Sequence, residues 1–536
     1  MSGARGRSWL RDARRAMARL PSFRMGRVPD APALSVRDPW PGDPARGARL
    51  IKGELEMGGG VLVLRQGGWS DLAGSPVLVA GAHGFSWLRD LRALGTDAAR
   101  LRARGLVAEW INDPPSASIA HRPDVVGARI TAWLGHYDFF AATADDAFRQ
   151  RLMARLVADA RSLSAALPAE ELDARALTAM KGLVAAAVAL REHTGFLTRA
   201  LRLLPQEIAR QVLPDGCHAE RSPAAQLSAL QDLTEIRALF QTSQTQPPPV
   251  LAAAIERMAP ALRMMRHGDG GLCLFNGSRE ETAALVDLVL TQAGRGGRGS
   301  AALTEGGFHR MQAGRSVLIV DCGLPAPAGL DRLAHAGTLS MELSVGRDRV
   351  IVNCGAFPAG PPQWRDAARA TAAHSTLIIA DTNSSELKPD GLGRRPGVVD
   401  VNRQEAAGAH WLDVSHDGWK KPFNAVHRRR LYMAESGEDI RGEDLIESPD
   451  PQPFHLRFHL HPDVQASLQQ DGGTVLLRLK SGSFWRLRAD GARLALEETI
   501  YLGGPEPRRG EQVVLTAFAD DPQQVKWALS KVERAG

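Results

Sequence analysis

"RATAAHSTLIIADTNSSEL", Arg369 to Leu387, sets an imidazole at the head of a strand-like run. An arginine and small residues lead to His374, "STLIIA" follows it, and the polar turn "DTNSSE" closes the run. A histidine in this position is a metal ligand, a catalytic group or a hydrogen-bonded structural residue. The sequence around it bears on all three.

Runs of the same kind surround it. After about residue 300, "SVLIVDCG", "TLSMELSVG", "RVIVNCG", "AVHRRRLYMAE", "FHLRFHLHP", "TVLLRLKSG", "SFWRLRADG" and "QVVLTAFA" read as strands separated by turn residues. No helix long enough for a parallel crossover lies between them, so layered antiparallel sheets are expected. From about 86 to 266 the chain is instead rich in Ala, Leu and Arg at helical spacing, as in "DAFRQRLMARLVADARSLSAAL" and "SPAAQLSALQDLTEIRALFQ". The expected class is therefore α+β and multidomain. It divides into a basic N-terminal segment 1–45, an α-helical domain 46–268, a Gly-rich linker region 269–305 and an antiparallel β-domain 306–536.

Charge narrows the partners. Residues 1–30 hold eight arginines against Asp12 and Asp30, and this segment carries the whole net charge of +6. The remainder is balanced, which argues against a nucleic-acid-binding body. "RSWLRDARRAMARL" is read as a solvated or docked helix, with peripheral contact to an anionic membrane as the alternative. The segment has no apolar core of a Sec signal peptide, and no run approaches the roughly 20 apolar residues of a membrane span. By sequence alone a cytoplasmic location is expected. The four cysteines are widely spaced and read as free buried thiols. Nothing in the pattern points to a particular oligomer.

Several groupings could carry chemistry. His335 precedes one strand in "LAHAGTLSMEL", Asn353 ends the next in "VIVNCG", and His374 heads the one after. Antiparallel strands could gather them at one sheet edge, where two imidazoles and an oxygen would suit Zn²⁺; separate hydrogen-bonded histidines are the alternative. His455, His459 and His461 share one face of a strand by their even spacing, as a ligand row or as a polar face. "DGCHAERSP" puts Asp215, His218, Glu220 and Arg221 in one interhelical loop, suited to a sugar or carboxylate, or merely to capping. His136 and Tyr137 could serve as acid and base, although neighbours on a helix point about 100° apart and core packing is the competing reading. The serine-hydrolase, P-loop, zincin and dinucleotide fingerprints are absent.

Taken in order, "WPGDPARGARLIKGEL", "RPDVVGARITAWL", "LPDGCHAERSPAAQL", "AHAGTLSMEL", "VIVNCG", "WRDAARATAAHSTLIIADTNSSEL" and "RFHLHPDV" resemble the heparinase II/III-like family of polysaccharide lyases. The resemblance spans about residues 35–536 and is most specific around His374. It implies an incomplete α/α toroid followed by a large antiparallel β-sandwich, a cell-envelope setting, an acidic uronate-containing polysaccharide as partner, and cleavage by β-elimination. That reaction needs a neutralised uronate carboxylate, a base for the C5 proton and an acid for the leaving oxygen. By resemblance, Arg129, Arg221 and Arg369 are candidate carboxylate binders. His136, Tyr137, His218 and His335 are candidate proton carriers, and His335, Asn353 and His374 fall where a structural zinc is held.

The chain also departs from the family. Where relatives often carry His-x-His-x-Asp, this sequence has Leu333, His335 and Gly337; the zinc aspartate is Asn353. A helical Asn-His pair is replaced near "LTAMKGL", and the tyrosine expected after "ERSP" gives way to Ala224, Ala225 and Gln226. Two functions follow: a lyase, or a catalytically impaired glycan-binding protein on the same fold.

Overall fold

Apolar residues at helical spacing dictate the first half of the chain, and capping residues set where its helices begin. In a computed structural model, which describes residues 28–65, 67–170, 173–294 and 299–532, Asp145 caps the helix Asp146–Ala166 by accepting from Phe148 N. That helix buries Leu152, Met153, Leu156, Val157, Ala160 and Leu163 along one stripe. The basic N-terminal helix read from the sequence lies outside the described residues. No helix among those described is long and apolar enough to cross a membrane.

The chain forms two units by its internal contacts. The first takes the residues up to Gln211 together with Ala229–Ile255 and Pro358–Gly360; the second takes Val212–Ser228, Glu256–Phe357 and Pro361–Gly536. In the first, helices Pro123–Gly135 and Arg175–Ala189 approach so closely that a Cβ on Gly182 would sit 2.3 Å from Gly127 Cα. Only glycine permits that approach. A cluster of Trp69, Phe85, Trp87, Trp110 and Trp133 packs nearby through edge-on and stacked rings. A short hairpin, Glu54–Met57 with Gly60–Val63, interrupts the helices.

The second unit is a β-sandwich, and all its strand pairs are antiparallel, as expected. One sheet runs Val399–Ala406, Ala409–Trp419, Ala425–Met433, Asp439–Glu447, Gln524–Lys531, Phe484–Asp490, Thr474–Arg478 and Gln465–Leu468. The other runs Arg493–Tyr501, Arg508–Ala517, Phe454–Leu460, Asp348–Val352, Met341–Val345, Ser316–Asp321, Phe308–Ala313 and Ala302–Leu303, with Leu377–Ile379 also paired to Phe454–Leu460. Their inner faces share one core that includes Leu318, Leu343, Ile351, Leu412, Leu431, Phe458, Leu487 and Leu515. The fold is thus an α/α toroid followed by an antiparallel β-sandwich. The sequence pattern did not mark Val399–Ala406, because this edge strand is largely exposed and polar on both faces. The Gly-rich stretch carries the helix Ala283–Ala293.

Candidate functional site

The loop 334–339, the end of strand Asp348–Val352 and the turn after the short helix Thr371–Ala373 bring the proposed zinc residues into one region of the sandwich. Gly277 N–H donates to His335 Nε2 at 2.9 Å, which makes that nitrogen an acceptor. His335 Nδ1–H then donates to His374 Nε2 at 3.0 Å, and His374 Nδ1–H donates to Ala370 O at 2.7 Å. Both rings are neutral in this chain of bonds. Burial pushes His374 down to about 4, and burial and the neighbouring His374 push His335 far below the usual imidazole range. Gly337 touches the same ring: a Cβ there would lie 2.7 Å from His374 Cδ2.

Asn353 is occupied at both ends. Its Nδ2 donates to Glu342 Oε1 at 3.0 Å, and its Oδ1 accepts from Ser375 N at 3.0 Å. Glu342 is fully buried and also accepts from Leu274 N, Asn353 N and His267 Nε2. A structural zinc takes four ligands, and carboxylate, imidazole and thiolate are the groups that serve. Here two imidazole nitrogens face each other, and the amide is spent on a carboxylate and a backbone N–H. Among the described residues no group of three His, Cys, Asp or Glu is placed to hold a metal ion. As these bonds stand the donor set does not fit a structural zinc: His335, Asn353 and His374 are held in a hydrogen-bonded network.

The three candidate carboxylate-binding arginines are all buried, and each serves the protein itself. Arg369 donates to Ala334 O, Lys388 O and Gly391 O, tying three loops. Arg221 pairs with Asp321, donates to Gly306 O and Leu324 O, and lies over the Phe308 ring at 4.9 Å. Arg129, in the helical unit, pairs with Asp159 at 2.9 Å, donates to His83 O and Ala120 O, and stacks on Trp110 at 4.2 Å. None of the three presents its guanidinium to a ligand in this geometry.

The proton carriers are buried in the same way. His136 Nδ1 donates to Ala132 O, its ring is within 3.5 Å of Asp38, and burial lowers it to about 4. Tyr137 follows it in a separate short helix, with its hydroxyl pushed toward the neutral form by burial. His218 is wholly buried; its backbone N–H donates to Gln226 Oε1, and its Nδ1 accepts from Glu220 N. Gln226, close to where the family tyrosine was expected, also donates to Gly216 O and Met258 O, so it pins the loop instead of facing a substrate. Asp215 caps the same loop and accepts from Glu305 N and Gly306 N. The histidines of "FHLRFHLHP" do not form a row of ligands: His455 meets Thr516, His459 meets Thr499 and Ala372 O, and His461 meets Glu280.

Two clusters went unread. Glu342 organises the His267–Asn353 network, and its signal was a lone carboxylate inside the apolar strand "SMELSV". Lys181 lies between Asp232 and Glu235 at 2.7 and 3.0 Å, and its signal was one lysine within "LTAMKGLVAAAVA".

Comparison with known proteins agrees with this architecture. The heparinase II/III-like C-terminal family profile matches residues 295–528. FtsZ-localized protein C of Caulobacter vibrioides is 31% identical over 94% of this chain and 92% of its own length. Among solved structures, heparinase III superposes with a TM-score of 0.77 at 14% identity, covering 98% of this chain and 89% of that one. Heparan sulfate lyase HepC from Pedobacter heparinus superposes with a TM-score of 0.61 at 16% identity, over 98% and 89% of the two chains. At such identities the solved structures speak to the fold. With a full-length relative and a matching C-terminal profile, the chain belongs to the heparinase II/III-like family.

Proposed function

We propose that this chain is a non-cleaving member of its family that acts at the bacterial division site, where it engages an acidic envelope glycan without eliminating it. One observation carries the reading: every residue offered for proton transfer or carboxylate neutralisation is buried, and all but Tyr137, whose buried hydroxyl has no hydrogen-bond partner among the described residues, are held by the protein's own groups. β-Elimination requires a base and an acid at the sugar together with a cation on its carboxylate. The place of action is supported by the full-length similarity to a protein named for localisation with FtsZ. The glycan is supported by the family, whose solved members include a heparan sulfate lyase.

A fluorescent fusion of the full chain, expressed in Caulobacter vibrioides with labelled FtsZ, tests the location. Bands coincident with FtsZ at midcell are expected; a uniform distribution in dividing cells overturns that part of the reading. The lyase alternative is favoured by the fold match alone and is separated by the assay that closes the Discussion.

A further inference from the structure

The outer face of the eight-stranded sheet differs from one cross-strand row to the next. Asp413, Arg430, Glu443, Lys526 and Asp490 stand opposite one another across five strands and alternate in charge. That row satisfies itself: Arg430 lies 2.9 Å from Glu443 and 3.4 Å from Asp413. Such a row is the ordinary solvated face of a sandwich.

Two residues along the same strands, the next row reads Trp411, Tyr432, Arg441, Ala528 and Arg488. It contains no acid. Trp411 is 39% exposed on an otherwise polar surface, and its ring centroid lies 5.2 Å from that of Tyr432. Arg441 lies 6.0 Å from the centre of the Tyr432 ring and pairs with Asp439 at 2.6 Å. Ala528, fourth in the row, carries only a methyl group beside Arg488, and a concavity of about 1000 Å³, whose lining also includes Glu438, Asp439, Glu443 and Asp490, opens over these strands. Arg488 and its neighbour Arg486 are held in no ion pair among the described residues, and Arg486 Nε is buried without a hydrogen-bond partner. Four strand spacings make the row about 19 Å long.

An aromatic pair on the same face as the unpaired guanidinium groups of Arg486 and Arg488 suits one kind of occupant better than others. The apolar face of a pyranose ring stacks on an indole or phenol ring, and a carboxylate or sulfate on that ring takes a two-pronged bond from arginine. An acidic peptide would use the arginines but would leave the exposed Trp411–Tyr432 platform without a specific role. We propose that this outer face binds an acidic oligosaccharide, with Trp411 and Tyr432 stacking on the sugar and Arg486 and Arg488 taking its anionic groups. The proposal rests on the reading that the chain engages an acidic glycan, and it places that glycan on the outside of the sandwich.

The test measures binding of polygalacturonate and heparin-derived oligosaccharides to the full chain by titration calorimetry, with neutral dextran and polyglutamate as comparison ligands. Trp411→Ala and Arg488→Ala are expected to weaken the acidic oligosaccharides about tenfold or more each. Arg428→Ala, outside the concavity and paired with Asp413 and Glu447, is expected to leave affinity unchanged. Thermal melts confirm that the variants fold, and the two test substitutions sit on different strands. Binding by the wild type that neither Trp411→Ala nor Arg488→Ala weakens overturns this site and leaves the glycan reading standing. Polyglutamate bound as tightly, with the same losses, overturns the sugar in favour of an acidic peptide. An equal loss in Arg428→Ala overturns the site in favour of diffuse charge. Failure of the wild type to bind either acidic glycan overturns both the site and the glycan reading.

Discussion

His335 Nδ1 lies 3.0 Å from His374 Nε2, and the two rings meet nearly edge to face. A direct bond joins two of the imidazoles for which the family resemblance implied a metal, and it leaves neither facing nitrogen free to ligate one. Purified protein is therefore expected to carry zinc well below one equivalent, and chelator treatment is expected to leave its melting temperature unchanged. Elemental analysis and a melt with chelator check this; one bound zinc lost in His374→Ala would contradict it.

Acid should destabilise the fold through its buried histidines. Burial lowers His83, His136, His309 and His374 to about 4, and His459 to about 3. The unfolded chain takes up these protons near pH 6.5, while the folded chain does not. Stability is thus full above pH 6.5 and falls as pH drops toward 4, by about 1–2 kcal/mol per histidine by pH 5. Urea melts between pH 7.5 and 5 should show a steadily falling midpoint.

Arg221 is a structural residue by its partners, so its removal should act on stability. Arg221→Ala strands Asp321 in the interior, at a cost of about 3–5 kcal/mol. Arg221→Lys should recover little of this, because one ammonium cannot replace three donors aimed at Asp321, Gly306 O and Leu324 O. Denaturant midpoints of the two variants check the order.

The strand alternation after residue 300 was legible because a sandwich imposes a two-residue period. His374 was legible as a strand-heading histidine for the same reason. Arg369 was read as a substrate contact because a sequence shows a guanidinium but not the three carbonyls to which it donates. Asn353 and Gln226 pose the same difficulty, since an amide's role depends on which partners the fold brings to it. Glu342 and Lys181 could have been found, because a lone charge inside an apolar run demands a buried partner.

The helical unit offers a check of its own. Gly182→Ala would press a methyl group against Gly127, 2.3 Å from its Cα, and is expected to cost about 1–3 kcal/mol. Gly105→Ala, on helix Asp97–Asn112 with open space at its Cβ, is expected to be neutral or slightly stabilising. Thermal melts of the two variants should separate clearly.

The central claim is that a lyase fold here engages glycan without cleaving it. Incubating the full chain with a panel of uronate polymers, and following the near-ultraviolet absorbance of an unsaturated uronate, tests it most directly. The account predicts no rise above the enzyme-free rate for any polymer, including those that bind. A rise that scales with protein concentration would contradict it and make the chain a lyase.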